Sequence, residues 1–162
     1  TAATFEKYRA MKKLVAVPPG TMPLERTVDL ALREPFCFIG SDGGIEYAAN
    51  ANSHPRGAGC FATTIRHGLD IGMKMETILE KMTSGPRSLL RPVMNDRGVL
   101  TAGAYADLVV FNPATVDGAA TVSNPNQYSR GIDYVCVNGK MAYKDGAPGT
   151  QPGKPIRYDP RK

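Results

Sequence analysis

The chain has 162 residues, 42% of them hydrophobic and 22% charged, with no tryptophan. That length suffices for one ordinary domain burying roughly 70% of its unfolded surface, and no run of about 18 apolar residues is present to cross a membrane as a helix. The net charge of +5 sits mostly in the tail, where Lys154, Arg157, Arg161 and Lys162 stand against Asp159. With no basic stripe interleaved with aromatics elsewhere, nucleic-acid binding is set aside.

The chain opens Thr1-Ala2-Ala3, with neither an initiator Met nor a charged-then-apolar leader. It also carries 17 Gly and 13 Pro, a loop-rich composition. Together these raise the expectation of a piece of a longer polypeptide. Cys37, Cys60 and Cys136 are odd in number, far apart and without a Cys-x-x-Cys pair. Buried, reduced thiols in a cytoplasmic protein are the expectation, rather than a zinc site or a disulfide framework.

Phe5, Tyr8, Met11, Leu14 and Val15 recur at helical spacing, and Pro18-Pro19-Gly20 ends the pattern. A second helix is predicted from Pro23 to Arg33, with Leu24, Val28 and Ala31 on one side. Phe36-Cys37-Phe38-Ile39, between Pro35 and Gly40, reads as a short strand buried on both faces, as in a parallel sheet. A Gly-, Asn- and Ala-rich loop follows as far as Cys60, and irregular stretches of that length tend to be functional or disordered. Helical spacing returns over Phe61–His67 and Met75–Met82, is broken at Ser84-Gly85-Pro86, and leaves one more turn at Leu89-Leu90.

Beyond Asp96 the pattern changes to short β-branched stretches, Arg97–Leu100 and Ala106–Phe111. Ile132–Val137, Asn138-Gly139 and Lys140–Tyr143 predict a hairpin, because Asn-Gly is the strongest two-residue turn signal. Asp145-Gly146 supplies another turn. Four prolines after Ala147 predict an extended tail over 147–162.

Asp42 is the best candidate for chemistry. A carboxylate just past the end of a buried parallel strand sits where α/β barrels keep catalytic groups, and Gly43 and Gly44 leave room for a ligand to approach the backbone. The competing reading is a plain turn in which the Asp bonds its own backbone. Arg56 is next, since its planar fork suits a carboxylate, against the alternative of an exposed loop arginine. His54 is a ligand, a base, or a ring packed on Pro55; His67 reads as structural or surface. No His-x-His, His-Glu-x-x-His, Gly-x-Ser-x-Gly or phosphate-binding Gly-rich loop is present, and two histidines 13 positions apart make a poor zinc site.

Phe38-Ile39-Gly40-Ser41-Asp42-Gly43, His54-Pro55-Arg56 and Lys81-Met82-Thr83-Ser84, in this order, resemble the closing third of the N-acyl-D-amino-acid deacylases (D-aminoacylases) of the metal-dependent amidohydrolase superfamily. Asp96-Arg97-Gly98-Val99-Leu100, Ala106–Phe111 and Val135-Cys136-Val137-Asn138-Gly139 look like that superfamily's return to its small β domain. The resemblance covers about Pro23 to Gly146.

It implies an α/β fold: residues 1–95 as the end of a (β/α)₈ barrel, 96–146 as a share of a β-sandwich, and 147–162 as an extended tail. It further implies a zinc-dependent hydrolase cleaving the amide of N-acyl-D-amino acids or related small amides. Asp42 would take the proton from a metal-activated water and pass it to the departing amine, and would be a possible metal ligand. Arg56 would hold the substrate carboxylate, with His54, Ser41 and Gly43 also lining the substrate site. The family's metal-ligating histidines match no residue here. Zinc is therefore expected only in the assembled enzyme, with an N-terminal barrel chain as partner. A non-catalytic scaffold domain derived from the same fold is the alternative.

Overall fold

The computed structural model describes residues 25–44 and 54–157. The predicted helix at Phe5–Val15 lies outside them. The chain divides into two compact units, Thr1–Glu34 and Pro35–Lys162.

In the first unit, α1 (Glu25–Arg33) realises the described part of the helix predicted from Pro23. Its basic last turn, at Arg33, suits the negative end of the helix dipole. The predicted face is displaced by one residue: Leu32 is buried, whereas Val28 and Ala31 are exposed. Both three- and four-residue steps from Val28 are helical, so periodicity alone does not choose between Ala31 and Leu32.

The second unit begins with the residues predicted as a strand. Phe36 is 74% exposed and Cys37, Phe38 and Ile39 are half-buried. Among the described residues no strand pairs with them. Their main-chain groups turn instead to the Lys81 turn, where Ile39 N–H donates to the Lys81 carbonyl at 3.0 Å.

Three helices follow, α2 (Arg56–Asp70), α3 (Met75–Glu80) and α4 (Ser84–Leu89). The loop predicted to reach Cys60 thus gives way to helix at Arg56, after Pro55, whose fixed φ suits a helix start. The buried stripe of α2 is Gly59, Ala62, Ile65 and Gly68. Its small residues admit close neighbours: a Cβ on Gly68 would meet Ile78 Cδ1 at 2.7 Å. The break predicted at Ser84-Gly85-Pro86 lies earlier, at 81–83. Pro86 stands in the first turn of α4, where a missing N–H is harmless.

The remaining strands form one antiparallel sheet in the order β1 (Leu108–Phe111), β2 (Ile132–Val137), β3 (Lys140–Lys144) and β4 (Ala147–Pro148). Both predicted turns are present. Asn138 and Gly139 have φ of 50° and 74°, and Asp145 and Gly146 have φ of 49° and 85°. Positive φ at both central residues matches the twist of a tight hairpin. Arg97–Leu100 is not a strand but part of a run of turns and bends.

The tail is not wholly unpaired, since Ala147-Pro148 adds β4 and Thr150 N–H donates to Met141 O at 3.1 Å. Ala62, Ile65, Ile78 and Val116 form the buried core, with Leu69, Leu79, Phe111 and Ile132 packed around it. The core therefore joins the α2–α3 pair to one end of the sheet. A single sheet is described; the second layer of a sandwich is not among the described residues.

Candidate functional site

Four contacts fix the segment that carries Asp42. Ile39 bonds the Lys81 carbonyl at 3.0 Å. Lys81 Nζ donates to the Cys37 carbonyl at 3.1 Å. Cys60 Sγ lies 3.9 Å from the Gly40 carbonyl. Gly43 then passes so close to α2 that a Cβ there would stand 2.5 Å from Gly57 Cα. This last approach needs glycine on one side and a bare backbone on the other.

Asp42, between these anchors, has φ of 45°, a left-handed conformation that Asp tolerates better than most residues. Its carboxylate reaches the first residue of α2, where Oδ2 lies 3.1 Å from Arg56 Nη2. The side chains are 91% and 47% exposed, respectively, so the pair contributes at most about 1 kcal/mol. The first turn of α2 holds no acidic residue. Arg56 and the positive end of the helix dipole therefore act together on any anion there.

The other predicted site residues gather at the same place. Ser41 Oγ accepts the Gly43 N–H at 3.4 Å and shapes the turn. His54 Nδ1 accepts the Arg56 N–H at 3.1 Å, which occupies one of the unpaired donors of the helix start and leaves the neutral ring's proton on Nε2. His67 is in the last turn of α2, about 16 Å along the axis from Arg56. It is not part of this cluster.

Sequence reasoning assigned no role to Lys81 or Gly57. Nothing in the stretch Ile78-Leu79-Glu80-Lys81-Met82 separates Lys81 from the charged Glu80 beside it, yet the structure buries Lys81 to 3% exposure. A cleft of about 420 Å³ opens beside Gly57 and Ala58, walled by Tyr128, Ile132, Val135 and Tyr143 among others. No carboxylate, lysine, arginine or histidine lines it.

Among the described residues, no three His, Cys, Asp or Glu side chains stand together to hold a metal ion. Asp42 alone is a single carboxylate donor, and the described residues do not fit a zinc site by themselves. Also among the described residues, no helix is long and apolar enough to cross a membrane.

The pattern of the amidohydrolase family matches residues 3–142. A D-aminoacylase from Alcaligenes xylosoxydans xylosoxydans is 40% identical over 112 residues, 68% of this chain and 22% of that protein. An N-acyl-D-glutamate deacylase from the same organism is 34% identical over 137 residues, 83% of this chain and 27% of the relative. The chain thus spans about a quarter of the length of the curated relatives it matches.

Among solved structures, the N-acyl-D-glutamate deacylase of Bordetella bronchiseptica, complexed with zinc and a phosphonate mimic of the tetrahedral intermediate, superposes with a TM-score of 0.71. It shares 34% identity and covers 83% of this chain and 28% of its own. A D-aminoacylase with a binuclear metal centre gives a TM-score of 0.68 at 35% identity, over 80% of this chain and 27% of its own. These likenesses support a fold of the TIM-barrel type, of which the described residues are a part. From its sequence pattern and its shared fold alike, the chain belongs to the amidohydrolase family and is similar to the family's D-aminoacylases.

Proposed function

We propose that this chain is the C-terminal part of a zinc-dependent hydrolase that cleaves the amide bond of N-acyl-D-amino acids, with Asp42 as proton shuttle and Arg56 as carboxylate binder. The observation that carries the reading is the Asp42–Arg56 pair at 3.1 Å, an acid–base group and an anion-binding group at one loop–helix junction. Residues 1–95 then belong to the end of the barrel, residues 96–146 to a share of the small β domain, and the N-terminal barrel portion is the partner. Support for the partner comes from the span, about a quarter of each curated relative. It comes also from apolar groups left open on this chain, such as Leu100 at 84% and Leu89 at 70% exposure.

Zinc, when bound by ligands that include the partner's, supplies Lewis-acid polarisation of the amide carbonyl and a more acidic attacking water. Arg56 exchanges Asp42 for the substrate α-carboxylate, a step made easy by the weakness of an exposed pair and rewarded by two parallel N–H bonds. Asp42 Oδ2, so released, takes one proton from the attacking water as its oxygen bonds to the carbonyl carbon. It returns that proton to the amide nitrogen as the C–N bond breaks, leaving a carboxylic acid and a free amine. Water is consumed and Asp42 ends as it began.

Hydrolysis of paired N-acetyl-D- and N-acetyl-L-amino acids by the full-length, zinc-loaded enzyme tests the reading. Release of the amine from the D-series, with the L-series at least about a hundredfold slower, is expected. Equal rates on both, or no release from either, would overturn it.

A further inference from the structure

We propose that Lys81 is the positioning residue for Asp42. This rests on the reading of Asp42 as the proton shuttle and adds the group that holds it in place. Lys81 is 3% exposed, an unusual state for a cation, which costs several kcal/mol unless its protons find acceptors. One acceptor is the Cys37 carbonyl at 3.1 Å. The main-chain carbonyl of the same lysine takes the Ile39 N–H at 3.0 Å.

One residue thus grips alternate positions of the segment, Cys37 with its ammonium and Ile39 with its backbone. The grip has a back wall. A Cβ on Gly85 would come within 2.3 Å of the Phe38 ring, so Phe38 is seated against the start of α4. Cys37, Phe38 and Ile39 are each held by the stretch from Lys81 to Gly85.

Asp42 is three residues further on, and Gly43 is pressed against Gly57. The Lys81 clamp upstream and the Gly57 contact downstream fix both ends of the short arc that carries the carboxylate. No ladder partner does this among the described residues. A displacement of about 1 Å at a reacting group is enough to lower a rate a hundredfold.

The test uses the full-length, zinc-loaded enzyme with an N-acetyl-D-amino acid. Lys81→Met keeps length and apolar fill and removes the ammonium. It should lower kcat by about tenfold to a hundredfold, as loss of a group supporting an active-site residue does, with KM within about twofold because Arg56 is untouched. Amide exchange over 37–44 should accelerate at least about tenfold. Lys81→Met combined with Asp42→Asn should be no slower than Asp42→Asn alone, since a group acting only through Asp42 has nothing left to position.

A wild-type kcat in Lys81→Met, or a double variant slower by the full Lys81→Met factor, would overturn the proposal. If Asp42→Asn itself turns over normally, the shuttle reading fails, whatever exchange shows at Lys81. Should Lys81→Met not fold, wild-type exchange decides. Segment 37–42 and the Lys81 turn must open together, and earlier, independent opening of 37–42 would overturn the clamp.

Discussion

Asp42 and Arg56 face each other across 3.1 Å, one on an arc held open at φ 45°, the other opening a fifteen-residue helix. Neither side chain is buried, so the pair does little for stability and much for placing two functional groups side by side.

Arg56→Lys should separate affinity from chemistry. A lysine keeps the charge and loses the fork, so KM for an N-acyl-D-amino acid should rise about tenfold or more while kcat changes less. A substrate whose α-carboxylate is replaced by a carboxamide should be hydrolysed equally by both forms. Steady-state kinetics on the two substrates check this; a uniform loss on both would remove Arg56 from carboxylate binding.

Gly43→Ala should damage the site more than the fold. The added methyl overlaps Gly57 Cα, backbone against backbone, where nothing flexible can yield. The expected cost is about 1–3 kcal/mol, typical of overpacking, with a larger fall in turnover because Asp42 moves with its neighbour. Comparing the shift in denaturation midpoint with the loss in kcat measures the split.

Some of this was legible in residues and some was not. The Asn138-Gly139 and Asp145-Gly146 turns were read from identity alone, because few residue pairs place positive φ at two consecutive positions without strain. Asp42 and Arg56 stood out as types suited to chemistry, and the structure brings them together through Gly43 and Gly57, whose close approach no local pattern encodes. Phe36–Ile39 was read as a paired strand from its apolar run, yet a strand is defined by partners, and its backbone bonds run to the Lys81 turn. Helix α2 begins five residues before the apolar pattern suggested, because Arg56-Gly57-Ala58 has no periodic signal and is started by Pro55 and His54.

Arg97 holds the β2–β3 turn from outside the sheet. Its guanidinium pairs with Asp107, donates to Asn138 Oδ1 at 2.6 Å and stacks 3.9 Å from the Tyr105 ring centroid. Asp107 also accepts the Asn138 N–H at 2.7 Å. Arg97→Met should destabilise by about 1.5–3 kcal/mol, the range for hydrogen bonds to charged groups. Arg97→Lys should recover less than half of that, since it lacks the fork and the planar stack. Chemical denaturation of the three forms checks the order.

Ile78 is fully buried and touches Gly68 across the α2–α3 contact. Ile78→Ala should cost about 2–5 kcal/mol and Ile78→Val about 0.5–1.5. Turnover in the valine form should remain near wild type, because Ile78 and its core neighbours make none of the contacts that hold the Asp42 segment or Arg56. Unfolding midpoints and kcat measured on the same preparations test both halves.

The most direct test of Asp42 as the proton shuttle is the turnover of Asp42→Asn in the full-length, zinc-loaded enzyme, with zinc content measured on the same sample. The account predicts an amide-for-carboxylate exchange that leaves the fold and most of the metal in place and lowers kcat by about a hundredfold to ten-thousandfold. A folded, metal-replete Asp42→Asn enzyme hydrolysing N-acyl-D-amino acids at the wild-type rate would contradict it.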